Sequence, residues 1–114
     1  MKEVTTLIRQ SPFNSALPAE VLRMTMGLIL SENKVQVVLT EDGVQLLRAV
    51  LPERIGGQDV KRHLETLGEL GCDIIAEVES LDARGIGDPA IEVMRKSRSE
   101  IAELLAASDT VLGV

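Results

Sequence analysis

The chain has 114 residues, of which 45% are hydrophobic and 26% charged, a balance typical of a single globular domain spanning residues 1–114. Phe13 is the only aromatic residue and the formal net charge is −6, so base stacking and attraction to phosphate backbones are disfavoured and we expect no nucleic-acid partner. The single cysteine, Cys72, suits a reducing compartment and no apolar run nears the ~18 residues of a membrane helix, so we expect a cytoplasmic protein without a membrane partner.

Strand patterns alternate with helix patterns along the whole chain, and the residues before the first strand have no signal-peptide pattern, so we expect no secretory signal. Strands are indicated by short β-branched, apolar runs, and helices by apolar residues that recur every three or four positions. The predicted elements are, in chain order, a strand at 4–8, a helix at 18–31, a strand at 35–39, a short helix through 47–51, a helix at 59–70, a strand at 73–78, a helical turn at 80–84, a strand at 90–94, a helix at 97–107 and a strand at 110–114. This alternation predicts an α/β fold with a mostly parallel five-stranded sheet covered by helices on both faces.

The carboxyl ends of parallel strands form the edge at which α/β sheets bind ligands, near the switch in strand order. Four segments belong to this edge in the predicted topology: 9–15, 40–43, 77–80 and 95–97. In the first of them Asn14 or Ser15 is the expected cap of the next helix, whose N-terminal N–H groups could hold a small anion. The segment lacks the glycines of a Walker or Rossmann loop, so we expect no nucleotide or other cofactor.

The chain has only one histidine and one cysteine that could bind a transition metal. Its only histidine, His63, lies within a predicted helix beside Lys61 and Arg62, without a second histidine or a cysteine at ligand spacing. We therefore predict no metal site.

Three stretches that follow the first three strands resemble the DsrE/DsrF/DsrH family, which includes the TusBCD proteins. They are residues 9–15 (RQSPFNS), 40–44 (TEDGV) and 80–86 (SLDARGI). The resemblance implies a flavodoxin-like, three-layer sandwich that assembles into dimers, trimers or hexamers and acts in an intracellular sulfur relay. It also implies a persulfide-carrying cysteine at the end of the third strand, seven residues before the Arg of an Arg-Gly pair. Counting back from Arg84 reaches Glu77 instead, so the family's nucleophile position carries no thiol.

Cys72 is the only thiol that could replace the missing nucleophile. It opens the third strand, and at about 3.3 Å per residue it lies ~16 Å from Glu77, at the opposite edge of the sheet. It follows the C-terminus of a helix, where the dipole is negative, and it lies near the carboxylates of Glu69 and Asp73. This negative environment disfavours the thiolate that sulfur transfer needs. We interpret Cys72 as a partly buried structural residue, with a sulfur carrier as the alternative.

Glu77 lies at the edge where the family's chemistry takes place. Strand-end carboxylates such as Glu77 and Glu79 are mostly solvated polar side chains, but here one could also act as a general base or bind an arginine of a partner. The predicted topology brings several candidate binding residues to this edge, namely Arg9, Asn14, Ser15, Glu77, Ser80 and Arg84. Because we expect guanidinium groups on either side of Glu77, its carboxylate should stay ionised, which suits docking better than proton transfer.

Three functions are compatible with these sequence features. The first is a non-catalytic subunit of intracellular sulfur handling, acting as a scaffold or docking a protein partner of sulfur transfer. The second is a small-molecule or anion-binding enzyme that uses Glu77 with Arg9 or Arg84, and the third is a persulfide sulfurtransferase that uses Cys72. Under the first we expect a homo-oligomer, a dimer or trimer, or a hetero-oligomer with related subunits, because the first helix carries an apolar, methionine-containing face.

Overall fold

The computed structural model describes residues 2–11, 17–48, 57–89 and 91–114. Its elements, in chain order, are β1 (Glu3–Ile8), α1 (Leu17–Leu30), β2 (Lys34–Leu39), a 3₁₀ helix (Glu41–Leu47), α2 (Gly57–Glu69), β3 (Asp73–Glu77), α3 (Val78–Ala83), β4 (Met94–Lys96), α4 (Arg98–Ala107) and β5 (Thr110–Gly113). Within these ranges no helix combines the length and the apolar character needed to cross a membrane.

The five strands form one sheet in the order β4-β3-β2-β1-β5, and every neighbouring pair is parallel. The predicted parallel α/β fold is thereby confirmed. From β1 the sheet grows in one direction through β2, β3 and β4, and the chain then crosses back to place β5 on the other side of β1. The reversal of strand order therefore lies between β1 and β5.

The strands are buried on both faces because alternate side chains enter two different cores. On one face, Val37, Leu39 and Ile74 pack with the buried residues of α1 and α2, among them Leu22, Leu64 and Leu67. On the other face, Val38 and Ile75 pack against Ile101 of α4. Helices on both sides of the sheet give the three-layer sandwich that the resemblance implied.

The fourth strand differs from its prediction at 90–94. The structure places β4 at Met94–Lys96, and within the described residues 91–93 have no strand structure. Ile91 and Val93 are apolar because they pack against the main core, which explains why their pattern was mistaken for a strand. Arg95 and Lys96, which lie beyond the predicted strand, pair with β3, and charged residues are tolerated there because β4 is an edge strand.

A 3₁₀ helix follows β2 directly, where the sequence predicted a helix through 47–51; positions 49–51 lie outside the described residues. Its first turn approaches the end of β1 so closely that a Cβ atom added to Gly43 would lie 2.0 Å from the carbonyl oxygen of Ile8. The backbone N–H of Gly43 donates to the carbonyl oxygen of Thr40 at 2.9 Å. This contact fixes Glu41 and Asp42 at the carboxyl edge of the sheet.

Candidate functional site

Glu77 is the last residue of β3 and the N-cap of α3. It is only 3% exposed, so the interpretation of this residue as a solvated strand-end carboxylate was wrong. The reason is that α3 starts at the next residue, and side chains from α3 and α4 close over the carboxylate. Glu79, in the first turn of α3, is exposed as expected.

One carboxylate oxygen of Glu77 accepts hydrogen bonds from two side chains. The Ser80 hydroxyl donates to Oε1 at 2.6 Å, and Nη2 of Arg98 donates to the same oxygen at 3.0 Å. The Ser80 hydroxyl also accepts from the backbone N–H of Glu41 at 2.8 Å. Because a hydroxyl has a single hydrogen to give, Ser80 has no donor left for another ligand.

Arg84 and Arg98 are joined by an outer layer of ion pairs. Arg84 Nε donates to Oδ1 of Asp42 at 2.9 Å, and its Nη2 lies 3.7 Å from Oε2 of Glu41. The other oxygen of Glu41 lies 3.8 Å from Nη2 of Arg98. Glu41 therefore bridges the two guanidinium groups, and its backbone is in the left-handed conformation, with φ of 51°.

The first turn of α4 is capped from two directions. Both carboxylate oxygens of Glu79 accept from the backbone N–H of Arg98 at 3.0 Å. Ser97 and Glu100 form a capping box, in which each side chain accepts from the backbone N–H of the other residue. These contacts occupy N–H groups that would otherwise attract an anion, and the bonds with Ser97 lower the pKa of Glu100.

We call the cluster made by these residues the β3 rim: Glu41, Asp42, Glu77, Glu79, Ser80, Arg84 and Arg98. Burial by itself raises the pKa of Glu77, but the hydrogen bonds from Arg98 and Ser80 and the charges of Arg98 and Arg84 outweigh it, so the pKa is lowered. The bond to Glu77 in turn raises the pKa of Arg98. The rim holds four carboxylates against two guanidinium groups and is therefore acidic.

Of the predicted site residues, the structure brings Glu77, Ser80 and Arg84 together. Arg9 does not join them: it is exposed at the end of β1, and its Nη2 lies 3.9 Å from the position of a Cβ on Gly113 in β5. The cation that accompanies Arg84 at Glu77 is Arg98, which is absent from the candidate residues predicted from the sequence. Asn14 and Ser15 lie outside the described residues.

The sequence does contain a signal for Arg98. The Ser97-Arg98-Ser99-Glu100 pattern is a capping box, which predicts that Arg98 occupies the first turn of a helix. That helix follows a strand of the parallel sheet, so its first turn lies at the same edge as Glu77. The approach of α4 to α3, which makes the contact, depends on tertiary packing and has no local pattern.

Cys72 precedes β3 at the opposite edge of the sheet and is 6% exposed. Burial, and the charge of Asp73, raise the pKa of its thiol to about 12, although a backbone hydrogen bond at Val37 opposes them. The side chain lines a pocket of about 570 Å³ that also includes Glu69 and Asp73. These surroundings, taken together, disfavour a thiolate.

Among the residues described, no group of three or more His, Cys, Asp or Glu side chains has the arrangement needed to hold a metal ion. The carboxylates of the β3 rim are paired with guanidinium groups and backbone N–H groups instead. The rim can position charged groups and present them to a partner.

The all-parallel sheet with helices on both faces, and a polar cluster at the carboxyl end of β3, define a small α/β domain of the flavodoxin-like kind. The chain belongs to the DsrE/DsrF-like family, whose model matches residues 2–114. The resemblance read from the three short stretches is thus confirmed. In fold the chain is similar to the crystal structure of the YchN protein from E. coli, with a TM-score of 0.87 and 24% sequence identity over 100% of both chains. None of the curated proteins compared with the chain matches it.

Proposed function

We propose that this chain is a subunit of intracellular sulfur handling that docks a partner or builds an assembly without carrying the persulfide itself. The family supports a role related to sulfur relay. The observation that carries the proposal is Glu77: a buried, hydrogen-bonded carboxylate stands where the family resemblance places the sulfur-carrying cysteine. A carboxylate cannot form a persulfide, and its charge repels an incoming sulfur anion.

The acidic character of the β3 rim favours docking over catalysis. Glu41 and Asp42 expose about half of their side chains, so they can meet basic groups on another protein surface. An enzyme that bound an anion through Glu77 and Arg84 is less well supported, because Arg84 already pairs with Asp42 and Glu41. A general base at neutral pH works best with a pKa near 7, whereas the pKa of Glu77 is lowered.

Sulfur loading tests the proposal directly. The purified protein is incubated with a cysteine desulfurase and L-cysteine, and its intact mass is measured without reductant. We expect no added sulfur, because Cys72 is buried with a raised pKa and the family's nucleophile position holds no thiol. A persulfide on Cys72 would support the alternative of a sulfurtransferase and end the docking proposal.

Titrations with thiosulfate and phosphate test the anion-binding alternative. The amide chemical shifts of the β3 rim are monitored, and we expect no saturable change.

Replacing Glu77 with Gln is expected to lower the free energy of unfolding by about 1 kcal/mol at pH 7 while leaving the fold intact. The charge-assisted hydrogen bond from Arg98 is lost, but the effect is small because the side chain of Arg98 is 64% exposed and its charge is screened by solvent. The pKa of Glu77 is lower in the folded protein than in the unfolded chain, where it is about 4.3, so ionised Glu77 stabilises the folded protein above this pH. This stabilisation is lost as the pH falls through the pKa of the folded protein. The difference between wild type and Glu77→Gln should therefore shrink below pH 4, as measured by urea unfolding. A difference that stays constant with pH would show that the pKa of Glu77 is the same in the folded and unfolded protein, contradicting the lowered pKa.

A homo-oligomer, a dimer or trimer, is the assembly we expect by light scattering at tens of micromolar. The supporting surface is an apolar face between α1 and β5, where Leu17, Met24 and Val111 are exposed beside a pocket of about 410 Å³. Met24→Glu should then reduce the measured mass, whereas Leu30→Glu, at an exposed position of the same helix outside this pocket, should not. A monomeric wild type would contradict the expectation, as would equal effects of the two variants.

A further inference from the structure

The pocket in front of β3 is a groove at the amino edge of the sheet, opposite the β3 rim. It lies between the carboxyl end of α2, the start of β3 and the segment that leads into β4. Its volume of about 570 Å³ falls within the range of binding sites, roughly 300–1,000 Å³. The buried side chains of Leu64 and Ile74 lie at its base, and Met94, at the start of the edge strand, is exposed along its wall.

Every charged residue that lines this groove is acidic. They are Glu65, Glu69, Asp73 and Glu92, all exposed. Among the ion pairs between described residues, none includes any of the four. A groove with an apolar base and unneutralised acidic walls is complementary to a molecule that is apolar on one side and cationic on the other.

Two of these charges lie where the helix dipole makes them unfavourable. Glu65 and Glu69 lie near the carboxyl end of α2, where the helix dipole is negative and cations are the stabilising residues. The last turn of α2 carries no basic residue. The carboxylates of Glu65 and Glu69 are therefore repelled by the negative end of the α2 dipole, and a cation bound beside them would offset this repulsion.

We infer that this acidic groove docks a basic amphipathic helix of a partner protein. Apolar side chains spaced along one helical face would enter the groove against Leu64, Ile74 and Met94, as in other helix-in-groove complexes. Lysine or arginine side chains flanking that face would reach the carboxylates of Glu69 and Glu92. The inference goes beyond the proposed function, because it gives the subunit a second docking surface at the edge of the sheet that the family's chemistry does not use.

A model peptide tests this inference. The probe is a fluorescein-labelled helix of about 15 residues made of leucine and lysine, with leucine at i, i+3, i+4 and i+7. We expect saturable binding by fluorescence anisotropy that weakens as salt is raised through about 0.15 M. In amide shift mapping, the largest changes should fall on 64–74 and 91–94. A glutamate-for-lysine peptide of the same pattern should not bind.

Variants separate the groove from the overall negative charge of the protein. Glu69→Lys should weaken binding of the lysine peptide about fivefold, whereas Glu103→Lys, the same change at an exposed site on α4, should leave it nearly unchanged. Met94→Gln should also weaken it, about threefold, by removing apolar contact. Unchanged binding by Glu69→Lys, an equal loss in Glu103→Lys, or shifts centred on the β3 rim would each overturn the inference. So would a loss of self-association in Glu69→Lys with peptide binding intact, since the groove would then belong to a second copy of the chain.

Discussion

Gly43→Ala is expected to lower the free energy of unfolding by on the order of 3 kcal/mol, enough to leave much of the protein insoluble when expressed. The new Cβ would meet the carbonyl oxygen of Ile8 at 2.0 Å and its carbonyl carbon at 2.7 Å. Both are backbone atoms of β1, which is held between two strands and cannot move aside as a flexible side chain would. Urea unfolding followed by circular dichroism measures the effect.

Gly27→Ala is the matched control for this experiment. Gly27 lies in α1, and a Cβ there would have nothing within 4 Å. Alanine should therefore stabilise the protein by about 0.5–1 kcal/mol, because it reduces the entropy of the unfolded chain and favours the helix. If Gly43→Ala were as stable as Gly27→Ala, the close approach of the 3₁₀ helix to β1 would be wrong, and with it the placement of Glu41 and Asp42.

Glu77→Cys is expected to produce a thiol that reacts with iodoacetamide at least about a hundredfold faster than Cys72 at pH 7. A pKa of about 12 leaves Cys72 roughly a thousandfold less thiolate than an ordinary cysteine. The new thiol would instead lie beside the Ser80 hydroxyl and the guanidinium of Arg98, which now hold the Glu77 carboxylate. The cysteine side chain is two bonds shorter than that of glutamate, so its Sγ would lie nearer the backbone, and the two donors facing this position should stabilise a thiolate there.

The comparison requires one thiol in each protein. Cys72→Ala combined with Glu77→Cys isolates the new cysteine, and the wild type reports on Cys72 alone. In urea both proteins should label at the same rate, which shows that the folded structure causes any difference. If the new cysteine labelled no faster than Cys72 in the folded protein, the β3 rim would not retain the environment of a sulfur-carrying site, and the sulfur-handling part of the proposed function should be abandoned.

Strands with a regular pattern were predictable from the sequence. Val35, Val37, Val38 and Leu39 form a β-branched or apolar run interrupted only by Gln36, because side chains on both faces of β2 enter a core. The same reasoning found β1 and β3, and Gly71 at the end of α2 has the positive φ that a glycine terminating a helix adopts. These features depend on local chemistry, so the order of residues alone reveals them.

The parts that the sequence did not predict depend on contacts between distant segments. β4 is a strand because Arg95 and Lys96 pair with β3, although neither residue favours a buried strand. Glu77 is buried because Arg98, 21 residues later, donates to it from α4. Arg9 was expected at the same site, but it follows β1, two strands away from Glu77 in the sheet. The sequence pattern correctly predicted which edge of the sheet Glu77 occupies. It did not predict which of the charged residues at that edge contact Glu77.

The strand order has a consequence for how the chain is synthesised and folds. β1 is made first, yet one of its two neighbours, β5, begins at Thr110, so the Glu3–Asp109 hydrogen bond closes a separation of 106 residues. Until that segment leaves the ribosome, the side of β1 that will bind β5 is an open hydrogen-bonding edge on a growing chain. Loop closure over this distance is slow compared with the pairing of nearby segments. The nascent protein therefore has a period in which a chaperone, or an identical chain on the same messenger RNA, competes with β5 for that edge.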